Sequence, residues 1–184
     1  MDTVNVPRWD REKLWELAES KYAEWNPDDE IPFPADRVIE TVFNVDIVPI
    51  KGLAEVISPA KAFLSGQGRQ LTVDEAHMMR DGGPFRFTVA HELGHLVLHR
   101  DILAAAKYNT SNQYLEFLAS IPDDTRSSME WQANEFAGVL VVPARHLRAA
   151  LDAGVQKVRE FGFTGPAQVR SLWTHIEQHA AEIL

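Results

Sequence analysis

The sequence predicts an α+β fold, mostly helical with a small sheet or hairpin, and three observations point to it. Several segments repeat apolar residues at helical spacing. A glycine-rich turn, Ser65-Gly66-Gln67-Gly68, separates two runs of β-forming residues. With 45% hydrophobic and 24% charged residues, the composition is that of a globular protein rather than a disordered one. A chain of 184 residues can bury a core of its own, so one domain over 1–184 is expected.

Taken in order, Leu14, Trp15, Leu17, Ala18, Tyr22 and Trp25 predict a helix from Asp10 to Trp25, which the turn-rich NPDDEIPFP ends. A shorter helix is expected from Ala35 to Phe43. VDIVPI reads as a strand with Pro49 near its edge or end. AKAFLSG and RQLTVDEA form a hairpin around the glycine turn. RDGGPFRF begins as a loop, and Pro84 suits the first turn of a helix running to about His99. The stretch from Asp101 to Ser128 mixes short helix with loop. MEWQANEFAGVLVV is helical again, with a boundary at Val142-Pro143. PARHLRAALDAG predicts a helix that Gly154 stops, and the tail predicts one more amphipathic helix. No internal repeat is present.

The absence of cysteine removes disulfides, thiol nucleophiles and thiolate metal sites, leaving His, Asp and Glu as the strong metal ligands. A net charge of −9 with no basic cluster opposes direct nucleic-acid binding and favours a basic protein partner. The N-terminus lacks the basic and apolar regions of a signal peptide, and no apolar run reaches membrane-span length, so a cytoplasmic location is expected.

Within FRFTVAHELGHLVLHRD, His91 and His95 lie four apart and project from one helical face, a spacing suited to gripping one metal ion through both imidazoles. Glu92 is turned about 100° from His91, beside the metal rather than on it. This is H-E-x-x-H, in which zinc lowers the pKa of a water to roughly 7 and the glutamate serves as the base. His99 lies roughly 6 Å beyond His95 along the axis, too far for one ion to hold all three, so a supporting or surface role is expected. The glycine-turn variant of the motif fails, with Leu98 at the glycine position and Asp101 at the ligand position, and Asp101 is a remote alternative ligand. A third ligand from a second helix is the stronger expectation. MEWQANEFAGVL offers Glu130 and Glu135. Glu130 shares a face with Asn134, whose amide is placed to support a ligand histidine, whereas Glu135 turns away and reads as solvated.

RFTVAHELGHLVLH followed by EWQANEFAGVLVVP resembles the ImmA/IrrE family of bacterial metallopeptidases, with R-F-T-x-A-H-E-L-G-H-x-x-x-H before E-x-x-A-N-x-F-A-x-x-L-L-x-P. The resemblance spans about residues 10 to 153, with Val141-Val142-Pro143 a mild departure and 155–184 a helical extension. It implies a compact zincin-like, gluzincin-like domain in which His91, His95 and Glu130 bind Zn2+ and Glu92 is the catalytic base. It further implies an endopeptidase that cuts a separately encoded helix-turn-helix repressor of a mobile element or stress response, since the chain leaves no room for such a domain beside the catalytic one.

Two other readings stand beside this one. The first is a metal-containing binding or sensor module without proteolysis. The second is a toxin-like hydrolase with another target. For a peptidase, the strand near Leu71 to Val73 is expected to take substrate as an added strand, and Tyr108, Tyr114, His77 and His146 are the candidates to stabilise an oxyanion. Trp9, Trp15, Trp25 and Trp173 either complete the core or mark a partner surface.

Overall fold

Asp10 starts the first helix, its carboxylate accepting the Lys13 N–H at 2.9 Å. The structure is a computed structural model and describes residues 6–80, 82–106 and 108–183; the first five residues of the N-terminal stretch read above lie outside them. The chain divides into two compact units, 1–141 and 142–184.

In the first unit, α1 (Arg11–Trp25) buries Leu14, Ala18, Tyr22 and Trp25, one stripe at helical spacing, and α2 (Ala35–Thr41) buries Ala35, Val38 and Ile39. Then follow β1 (Asp46–Ile50), α3 (Leu53–Val56), β2 (Ala62–Leu64), β3 (Gln70–Asp74) and α4 (Glu75–Met78). The predicted hairpin forms, with β2 antiparallel to β3. The parallel pairing of β3 with β1 was not expected and gives the sheet order β1-β3-β2. The sheet has two apolar faces. Ala62, Leu64, Leu71 and Val73 join the main core, while Phe63 points the other way to a smaller cluster with Leu53, Ile57, Ala106 and Tyr108.

The long helix α5 (Gly83–Leu98) carries Pro84 in its first turn, and its buried residues extend most of the way round it. A helix apolar on most sides must be covered on most sides. It packs against α2, β2 and α8 (Asp123–Val141). Between them run α6 (Arg100–Ala105) and α7 (Ser111–Ser120). Helix α1 covers α8, anchored by Glu135, whose carboxylate accepts from Arg11 at 3.1 Å and from Trp15 Nε1 at 2.8 Å. Glu135 therefore ties two helices together and is not the solvated residue its helical position suggested. Trp25 is buried and Trp9 packs against the core, whereas Trp15 and Trp173 are exposed.

The second unit holds α9 (Ala144–Glu160), α10 (Pro166–Ser171) and α11 (Trp173–Ile183). Two expectations fail here. Gly154 does not stop a helix but lies inside α9, where a Cβ would come 2.9 Å from Ile176 Cγ2 of α11, so the glycine serves close packing. The tail forms two helices meeting at Leu172, not one. Among the described residues no helix is long and apolar enough to cross a membrane.

Candidate metal centre

The site begins with Gly94. A Cβ there would lie 3.1 Å from both the Cα and the carbonyl oxygen of Ala133, so the bare glycine lets α5 and α8 approach closely. Glu130 sits one turn before Ala133 and Asn134 one residue after it, and the close approach brings both to the histidine face of α5. His91 Nε2 and His95 Nε2 are 3.0 Å apart, His91 Nε2 is 3.3 Å from Glu130 Oε2, and His95 Nε2 is 3.6 Å from Glu130 Oε1. The three side chains form a group able to hold a metal ion, with one ligand atom from each lying within 4.8 Å of the others. A tetrahedral site with bonds of about 2.0–2.1 Å keeps its ligand atoms roughly 3.3 Å apart, so the donor set fits such an ion. Two imidazole lone pairs facing each other at this range repel unless a cation or proton lies between them.

The expected support for His91 is in place, with Asn134 Oδ1 3.0 Å from His91 Nδ1. His99, 1% exposed, reaches His95 Nδ1 with its own Nδ1 at 3.0 Å and Gln132 Oε1 with its Nε2 at 3.0 Å. Of the two roles expected for it, the supporting one is realised and the surface one is not. Asp101 is exposed on α6 and does not join the group.

Burial shapes the charges. Desolvation holds His95 down to about 3, with His91 adding to the effect, so its imidazole is neutral. Desolvation also opposes charging of His91, but the hydrogen bond to Glu130 and the carboxylates of Glu92 and Glu130 outweigh it and raise its pKa. For Glu130, desolvation pushes upward, and the hydrogen bond to His91 with the nearby histidines wins, keeping the carboxyl below its ordinary value. Glu92, 8% exposed, is pushed up to about 7 mainly by desolvation, against the pull of His91 and, more weakly, of the Leu64 backbone.

These groups line a cleft of about 230 Å³ whose apolar wall includes Phe63, Phe87, Tyr114, Phe117 and Met129. Tyr108 and Tyr114 line it, and desolvation followed by the charge of Glu92 raises both phenols well above their ordinary range. His77 instead bonds Thr88 Oγ1 at 2.8 Å, and His146 lies on α9 in the second unit. Arg126 also lines the cleft and was not anticipated from the sequence. Neither were Gln132 and the Leu64 N–H. A glutamine inside the apolar face of α8 was the available hint for Gln132.

The family model for the IrrE N-terminal-like domain, a peptidase family, matches residues 81–173, half of the chain. The chain belongs to the IrrE N-terminal-like domain family. That agrees with the ImmA/IrrE resemblance of the two motifs, and the mostly helical fold with its small three-stranded sheet agrees with a zincin-like domain. Membership in the IrrE-like family makes the chain a metallopeptidase, and His91, His95 and Glu130 are the group available for its metal. No curated protein and no solved structure matches the chain.

Proposed function

We propose that this chain is a zinc endopeptidase of the cytoplasm that cuts one regulatory protein, a helix-turn-helix repressor of a mobile element or stress response. The observation that carries the reading is the convergence of two imidazole nitrogens and a carboxylate on one point, with the buried carboxyl of Glu92 beside them in an open cleft. Zinc suits three nitrogen and oxygen donors with one side left open, and when bound it supplies Lewis acidity toward a carbonyl and lowers the pKa of a water. His91, His95 and Glu130 hold it. Glu92 takes up a proton on its carboxylate and returns it to the leaving amine. The Leu64 N–H of β2 lies on the same side and favours the charged form of that carboxyl.

Substrate alignment falls to β2 and not to the segment Leu71 to Val73, because β3 is paired on both sides. In the antiparallel pair, Lys61, Phe63 and Ser65 bond inward to β3, and the alternate residues turn outward. Gly66 spends its outward N–H on the Tyr108 carbonyl, and the backbone groups of Ala62 and Leu64 face the same way. An extended peptide adds there as a strand, with side chains against the apolar wall. The net charge of −9 favours a basic, DNA-binding partner.

The test compares the wild-type chain with Glu92→Gln. Each is added to extract from the source cells, and new protein N-termini are catalogued by mass spectrometry. The expected result is zinc near one per chain in both proteins, with a Glu92-dependent cut in a single DNA-binding regulator. Cleavage that survives in Glu92→Gln overturns the role of the base; Glu92-dependent cuts spread over unrelated proteins overturn the single-substrate reading.

A further inference from the structure

Gln132 contributes no ligand, yet it is 1% exposed beside the metal group, and its bonds allow only one orientation. Its Nε2 lies 3.0 Å from the carbonyl of Pro7 and 3.2 Å from Ser128 Oγ. A backbone carbonyl only accepts, so the NH2 end of the amide faces Pro7 and the oxygen faces His99. An amide oxygen also only accepts, so His99 Nε2, 3.0 Å away, carries a hydrogen. A neutral imidazole has one N–H, which leaves His99 Nδ1 as a lone pair. That lone pair is 3.0 Å from His95 Nδ1, which therefore carries the hydrogen. The last nitrogen in the chain, His95 Nε2, is left with a bare lone pair directed at His91 Nε2 and Glu130.

We propose that Gln132 and His99 are positioning residues that fix His95 as its Nδ1–H tautomer and so present its Nε2 to the metal, in a relay anchored on the carbonyl of Pro7. The inference rests on the metal reading above. The two links that His99 makes are buried and the Gln132 link to Pro7 is part-buried, and reversing any one of them sets a donor against a donor or an acceptor against an acceptor. His91 reaches the same state by a different and shorter route, one Asn134 oxygen at 3.0 Å. Two independent supports thus turn two Nε2 lone pairs to one point. The relay also joins the segment before α1 to the centre of the site.

The first measurement is the histidine tautomers of the metal-free, full-length chain, read by long-range 1H–15N NMR. The expected result is Nδ1–H on His95 and Nε2–H on His99; Nε2–H on His95 overturns the proposal whether or not any variant folds. The second is zinc affinity by competition with a chromophoric chelator. Gln132→Leu and His99→Leu keep bulk and lose the relay, and affinity is expected to fall about 10–100-fold in each. His99→Gln preserves an acceptor toward His95 and a donor toward Gln132, and is expected to restore most of it. Unchanged affinity in Gln132→Leu, with zinc bound by the wild type, overturns the relay alone. A wild-type chain that binds no zinc overturns the metal reading on which it rests.

Discussion

Gly94 and Gly154 each sit inside a helix at a close helix contact, one in each unit, and their neighbours make them instructive. Gly94 of α5 meets the backbone of Ala133, and Gly154 of α9 meets Ile176. Both give up helix propensity, roughly 1 kcal/mol relative to alanine, in exchange for a close helix contact. At Gly94 the approach sets charged and polar groups against each other, since Glu130 and Asn134 flank the contact on α8 and reach the two histidines. At Gly154 the partner is an isoleucine, Ile176, met through both its side chain and its backbone. The same packing device therefore builds a chemical site in one place and an apolar seam in the other, and what decides is the residues one turn away.

That difference can be broken in stages. The largest effect is expected from Glu130→Ala, which removes the carboxylate of the proposed metal group without touching the helix contact: metal measured by mass spectrometry should fall from near one per chain to near none while the fold persists. An undiminished metal content would take Glu130 out of the site. Next, Gly94→Val and Gly154→Val both overfill a contact and should each cost about 1–3 kcal/mol in chemical denaturation. Only the first should weaken zinc binding, and a loss of affinity in Gly154→Val would erase the distinction drawn between the two contacts. Gly154→Ala should cost less, about 1 kcal/mol or below, since the gain in helix propensity offsets part of the crowding. The smallest effect belongs to Glu135→Gln, which removes the charge facing the exposed Arg11. A change of less than about 1 kcal/mol with full metal content is expected from thermal denaturation, as for other surface ion pairs.

The metal group was legible because its signal is local and periodic. His91 and His95 lie four apart, Glu130 and Asn134 lie four apart, and both pairs meet their partners in the structure. What was not legible depends on which elements meet. The parallel pairing of β1 with β3 leaves no mark in either strand, so β3 looked as available to a substrate as β2 does. Glu135 was misjudged because the angle between two residues on one helix says nothing about α1 covering that side. Gly154 was misread because a glycine at a helix end and a glycine under a crossing side chain look the same in one sequence. The route through His99 and Gln132 escaped for the same reason, since it joins α5, α8 and the segment before α1.

The order of the sheet has a consequence for how the protein is made. Strand β3 lies between β1 and β2 but follows both in the chain. On a ribosome, the first two strands emerge with no bonding partner until the third arrives, and the histidine helix follows after the short helix α4. Glu130 then trails His95 by a further stretch containing α6 and α7. A nascent chain thus exposes two histidines well before the carboxylate that completes the set, so all three donors come together only in the finished, folded chain.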